Sequence, residues 1–506
     1  MNGRLKKIIL LILAAILIVS ASTMQKSLNH DRDTLGLTHV EGLTNAPPIL
    51  AFTTVALGGF RGLISNLLWT RASQLQEDDK FFEMVQLSDW ITKLEPHFAQ
   101  VWAHEAWNMT YNISVKFKDF PDRWRWVQNG IDLLRDEGLR YNPDDVLIHR
   151  ELAWFFQHKM GANLDDASMY YKMEWKKEME AVFSGKKPDF AALINPRTAD
   201  ETNRTRILRE KYKMDPALMK QIDEQYGPLE WRLPEASAIY WAAQGLQRAT
   251  ENPSKVSPGD DLIVLRRVIY QCMQLSWQRG HIVDSPFVTG LEFGPNLDII
   301  PKVNETYLKM YDEEADPNQR NGIPNAQRNF LRQAVYTLYV YNRMADAAKW
   351  YKYLGDKFPD KNILDNDPKS LPRNLTLDQY VVGCVQEDIN ETSHDRVVAI
   401  LEGLLTTAYT SYVLDEDDRA EGLQALARQA RQKYMSTIDA QRVSALGLPP
   451  FKTIQSTVLD RMLNPTNGLA PDAAAILRTK LNLPSQKTPP AAPVEQPAAT
   501  PGTNAP

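Results

Sequence analysis

His104-Glu105 opens like the helix motif of zinc proteases, two histidines one turn apart with the glutamate as general base. Trp107-Asn108 occupies the stretch that should end in the second histidine. His149 and His158, nine residues apart, fall on opposite faces of a helix. Gly185-Lys186-Lys187 lacks the upstream glycine and the Ser/Thr of a phosphate-binding loop. Gly58-Gly59-Phe60-Arg61-Gly62 is glycine-rich but follows no strand pattern, and no Gly-x-Ser-x-Gly elbow occurs. The run Asp415-Glu416-Asp417-Asp418 starts like a calcium loop, but Arg419 and Ala420 stand where a ligand and the glycine are required. A helix N-terminus, which favours negative charge, accounts for it better. Asp165-Asp166, and Asp365 with Asp367, have the residue types of a glycosidase pair, yet such pairs are common on helical surfaces. No catalytic residue, metal or cofactor is assigned, and the chain reads as non-enzymatic.

The elements that would position any site are helical. Phe81 to Leu94 has apolar residues at helical spacing before Pro96, and Trp124 to Leu139 repeats the pattern before Pro143. Strand signals are scarce. The 506 residues carry a formal net charge of −5, with 24% charged and 43% hydrophobic residues, ordinary values for a chain with one large core or several subdomains. They exclude the basic stripe of a nucleic-acid binder. Two cysteines, Cys272 and Cys384, make no disulfide framework; a single bridge between them is the only arithmetical option, and two small core residues the simpler one. All twelve tryptophans lie between Trp69 and Trp350, so an aromatic-rich body precedes a plainer helical segment.

At the N-terminus Arg4, Lys6 and Lys7 precede an apolar run from Ile8 that reaches Met24. This is the layout of a secretory signal, long enough to be an uncleaved anchor, with Val19-Ser20-Ala21 as the alternative cleavage site. The expected location is the bacterial inner membrane, single-pass, with the body periplasmic; a cleaved signal would give a secreted protein. Residues 1–24 are thus read as signal-anchor or transmembrane helix and 25–46 as linker. Pro48 to Trp69 is also apolar, but Arg61 near its middle favours a buried first hairpin over a membrane contact. Residues 47–250 read as helical repeats with a long polar insertion at 185–233 that holds one short helix near Asp215–Tyr226. Helices and a long loop follow at 251–325, the loop from Ser285 to Pro301. A C-terminal helical region covers 326–483. The Pro/Ala-rich tail, 484–506, has no aromatic residue and reads as disordered.

Two helix openings recur, one from Pro96 and one from Pro143, each reaching an alanine (Ala106, Ala153) ten residues on. A third unit runs from Arg328 to Pro359, with Leu331, Ala334 and Val335 as an inner stripe, Ala347 at the helix crossing, Tyr351 over it, then Leu354. This pattern resembles tetratricopeptide repeats, in which a small residue lets two helices cross closely and an aromatic covers the next pair. Pro48, Pro96 and Pro143 are 48 and 47 residues apart, longer than the standard repeat of about 34. ALGGFRGLISNLLWTRAS and LSDWITKLEPHF are also similar to stretches of bacterial membrane-anchored repeat proteins of no assigned function. The resemblance implies an all-α superhelical solenoid of TPR-like hairpins behind the N-terminal helix. In such repeats the fifth, ninth and thirteenth positions of each first helix face a concave groove. Here they are Ala103, Trp107 and Tyr111, then Arg150, Trp154 and His158, then Arg332, Tyr336 and Val340. The candidate groove residues are therefore Trp107, Tyr111, Arg150, Trp154, His158, Arg332 and Tyr336; the bland alternative makes the aromatics core. The Asn and Lys of carboxylate-clamping repeats are missing. The function expected is a membrane-anchored scaffold binding protein partners of an envelope or membrane complex. The alternative is an extracytoplasmic glycan-binding or glycan-processing helical protein, its aromatic residues stacking on sugar rings.

Overall fold

The computed structural model describes residues 61–185, 187–253, 262–283, 291–365, 367–387, 394–437, 448–466 and 468–484, and of the first sixty only Leu17, Val19, Ser20 and 23–28. The chain is mostly helical, and the ladder described is a two-residue antiparallel one, His281–Ile282 against Phe293–Gly294. Two compact units divide it, residues 1–282 with 293–306, and residues 283–292 with 307–506. Among the described residues no helix is long and apolar enough to cross a membrane. Most of the expected anchor, the linker beyond Leu28, residues 48–60 and the tail from 485 lie outside the described residues.

The first unit opens with a hairpin, α1 (Arg61–Glu77) and α2 (Phe81–Leu94), joined through Asp79 at φ 58°. Ala72 and Leu75 of α1 bury against Phe81 and Met84 of α2. α3 (Ala99–Trp107) continues through a π-helical turn, Asn108–Ile113. α4 (Phe120–Asp132), started by Pro121, has a similar extension at Leu133–Gly138. α5 (Val146–Trp154), capped by Asp145 accepting from the Ile148 N–H at 3.0 Å, runs on through Phe155–Gly161. The two proline-led openings therefore share more than a sequence pattern: each is nine α-helical residues followed by a π turn. Nothing in the residue pattern announces those turns.

α3 and α5 run parallel. At their starts His97 Nδ1 meets the Tyr141 carbonyl at 2.9 Å, and Asn142 donates to the Pro96 carbonyl at 2.9 Å. At their ends the Tyr111 hydroxyl meets His158 at 3.0 Å. α4 packs closely on the α3 extension because Gly130 has no side chain; a Cβ there would lie 2.7 Å from the Ala106 carbonyl oxygen. Ala106 and Ala153 are both fully buried, as small residues at helix crossings must be.

After α6 (Ser168–Phe183) the structure corrects the reading of 185–233. This segment holds α7 (Phe190–Ile194), α8 (Ala199–Glu210) and α9 (Pro216–Tyr226), not one short helix. Its polar surface hid good helix starts: Thr198 and Glu201 form a reciprocal capping box, and Asp215 caps α9 ahead of Pro216. Tyr212, Met219, Ile222, Trp231 and Leu233 bury it firmly in the unit. α10 (Pro234–Glu251) and α11 (Ile263–Arg279) follow, with Gly245 of α10 lying against His149 of α5.

α12 (Ile300–Glu313) leads into the second unit, where α13 (Pro317–Val340) and α14 (Met344–Lys357) pair as a hairpin. Leu331, Ala334, Val335, Ala347 and Leu354 are fully buried in it. Tyr351 reaches onward to α15 (Leu377–Glu387): it stacks on Tyr380 at 5.6 Å and donates to the Leu375 carbonyl at 2.7 Å. α16 (His394–Val413), α17 (Asp417–Thr437), α18 (Phe451–Met462) and α19 (Pro471–Lys480) close around Leu401, Leu405, Tyr409 and Val458. Asp417 and Asp418 occupy the first turn of α17, and Asp417 and Asp415 both pair with Lys480 at 2.6 Å. Cys272, buried in α11, and Cys384 in α15 are free thiols.

Candidate functional site

Because α3 and α5 are parallel neighbours, residues 47 apart in sequence lie side by side. Trp107 and Trp154 line one cleft, and Tyr111 meets His158. Within each helix the rings stack one turn apart, as (i, i+4) neighbours do: Trp107 on Tyr111 at 5.3 Å, and Trp154 on His158 at 4.5 Å with the planes 11° apart. The Tyr111 hydroxyl joins the two stacks. It meets His158 Nδ1 at 3.0 Å. Burial lowers the proton affinity of His158, with Lys159 adding to it, so the ring is neutral at pH 7. Burial and the Glu151 charge push the Tyr111 phenol well up.

This four-ring patch separates two clefts. One, about 460 Å³, is walled by Trp107 and Trp154, with Arg150 and Glu151 from α5 and Val264 and Gln271 from α11. Arg267 of α11 also lines it. Trp107 is 37% exposed, and Arg150 pairs with its neighbour Glu151. Gln157 donates to Gln271 at 2.7 Å and ties α11 to the α5 extension. The second cleft, about 530 Å³, lies beyond Tyr111 and His158 and is edged by Val115 and Leu164. Both volumes fall in the range of ligand-sized sites, roughly 300–1,000 Å³.

The floor of the second cleft is a buried ion network. Lys159 is 3% exposed and pairs with Asp165 at 2.6 Å while lying 5.2 Å above the Tyr111 ring. Arg123 of α4 reaches Asp165 at 3.2 Å and also Asp166, and donates to the Phe117 carbonyl at 2.7 Å. Burial alone would raise Asp165, but the hydrogen bonds from Lys159 and the Ala167 N–H hold it below the usual carboxylate range. It stays ionised, which suits a structural anion and not a proton donor in glycoside chemistry. Asp166 remains largely open at 68% exposure.

Of the residues nominated from sequence, Trp107, Tyr111, Arg150, Trp154 and His158 share this surface. Arg332 and Tyr336 belong to the second unit and line neither cleft; Arg332 is held by Asp365 at 2.7 Å, and its carbonyl accepts from Tyr380 at 2.9 Å. Lys159, Arg123 and the α11 wall were missed. None of them carries a signal in the local sequence: Lys159 follows the polar Gln157 and His158. No family model, curated protein or solved structure matches the chain.

Proposed function

We propose that this chain is a non-enzymatic, TPR-like scaffold that binds an extended segment of a partner protein on the aromatic patch of α3 and α5. The observation that carries this reading is the pairing of Trp107 and Trp154, equivalent positions of two parallel helices, as walls of one cleft. Large, rigid aromatic surfaces with an arginine beside them are what protein interfaces use as anchors. The Tyr111 end of the patch is braced by the Lys159–Asp165–Arg123 network, so less conformational freedom is lost there when a ligand binds. In this proposal the N-terminal apolar segment holds the chain at the bacterial inner membrane, with the body in the periplasm.

The glycan reading draws on the same cleft, since Arg150 and Gln271 offer planar polar groups beside the two indoles. One experiment separates them. A photo-cross-linking residue is placed at Val264 of the full chain in its native cells, with and without Trp107→Ala/Trp154→Ala. The expected result is a cross-linked partner segment, located by mass spectrometry and lost in the double variant while circular dichroism is unchanged. No cross-link, together with a saturable change in tryptophan emission on adding oligosaccharides, would overturn the scaffold reading.

A further inference from the structure

Resting on that reading of the patch as a segment-binding surface, the charges at its two ends add a rule for what the segment must contain. Along α5 and its extension the order is Arg150, Trp154, His158 and, past the end of the helix, Asp166. Arg150 is 41% exposed, and Arg267 of α11, an exposed residue, lines the same cleft. Glu151 pairs with Arg150 but is itself only 11% exposed, so the group this pair presents to solvent is the Arg150 guanidinium. At the other end Asp166 is 68% exposed, while Arg123 and Lys159 beneath it are 13% and 3% exposed. The outward charge there is negative. Between the two ends lie the four rings and the apolar edge of Val115 and Leu164, with Gln271 on the α11 wall.

We infer that the groove selects an extended partner segment of mixed charge: an acidic residue over Arg150, an apolar residue on the tryptophans, and a basic residue over Asp166. The register follows from backbone geometry. Arg150 to His158 spans eight residues, about 12 Å along a helix at roughly 1.5 Å per residue. An extended chain covers that distance in about four residues at roughly 3.3 Å each. The matching pattern is therefore acid, spacer, apolar, spacer, base, with the base one or two positions further on if it reaches fully to Asp166. Charge alone does not set the chain direction, so a peptide and its reversed sequence satisfy the rule equally. The apolar centre supplies affinity, and the rim charges supply choice, as exposed interface charges generally do.

Three labelled ten-residue peptides test this against the full chain by fluorescence polarisation. They share a central leucine and differ at the flanking positions: Glu and Lys, Glu and Glu, or Lys and Lys. The expected result at low salt is mixed-charge binding at least threefold tighter than either like-charged peptide, an advantage that shrinks as salt rises. Asp166→Lys is expected to move the preference to the Glu/Glu peptide, and Asp166→Asn, which keeps the shape, to erase the advantage over the Glu/Glu peptide while the Lys/Lys peptide stays weakest. A ranking unchanged by both Asp166 variants, or equal binding of all three peptides, would overturn the inference. If that happens while Trp107→Ala still abolishes peptide binding, the charge rule falls and the groove reading stands. If no peptide binds and the cross-linking experiment also fails, the groove reading falls with it.

Discussion

Glu105 offers the sharpest test of how well the α3 surroundings are understood. It sits on α3 at 2% exposure, one of its carboxyl oxygens has no partner among the described residues, and Asp89 and Lys93 of α2 are the charges that act on it. Burial first, and Asp89 second, raise it from an ordinary 4.5 to about 8, with Lys93 opposing. The folded protein therefore holds a proton that the unfolded chain releases at lower pH. Its contribution to stability is complete below about 4.5 and disappears as pH rises through 8. At about 1.36 kcal/mol for each tenfold in proton affinity, that interval corresponds to about 5 kcal/mol, an upper figure. Glu105→Gln keeps the shape and removes the titration. Urea unfolding followed by tryptophan emission between pH 5 and 9 reads the first unit almost alone, because every tryptophan except Trp350 belongs to it. The variant should gain steadily on the wild type across that range, by several kcal/mol at the alkaline end. Parallel stability curves would refute the burial argument.

Lys159→Met takes from the buried Asp165 one of its two described cations, leaving Arg123; breaking such a pair typically costs about 3–5 kcal/mol, read as a lower urea midpoint, and adding Asp165→Asn should recover part of it. Gly130→Ala would gain up to about 1 kcal/mol in helix propensity, but its Cβ would lie 2.7 Å from the Ala106 carbonyl oxygen and 2.1 Å from Thr110 Oγ1. The net result should be a loss of about 1–3 kcal/mol in the same assay. Cys272 is fully buried, and that burial raises its thiol well above the ordinary range, so a thiol reagent at pH 8 should leave it unmodified until urea unfolds the first unit.

The groove was legible as far as its two helices go. Trp107, Tyr111, Arg150, Trp154 and His158 could be nominated because a fixed offset of 47 residues repeats one local pattern, and parallel packing of the two copies turns that offset into contact. Extending the same positional rule to Arg332 and Tyr336 named residues of a different unit, since the rule carries no information about where a third helix pair lies. The 185–233 segment was misread for a related reason. Its helices are 5 to 12 residues long, too short to show a strong apolar stripe, and they hold their shape through caps and burial against the rest of the unit.

Sequence by itself determined the helical class, the proline-led openings, the small residues at the crossings and the aromatic ninth positions. These are properties of neighbours within a few turns, where periodicity and side-chain size act directly. Tertiary structure alone decided that the rings would wall a cleft. Val264, Arg267 and Gln271 come from a helix more than a hundred residues further on, and Arg123 reaches Asp165 across 42. It also decided the π turns that follow Trp107 and Trp154, the hydrogen bonds that keep Asp165 charged and the burial that keeps Glu105 neutral. Packing fixes dielectric surroundings and distant partners together, and no local pattern encodes either.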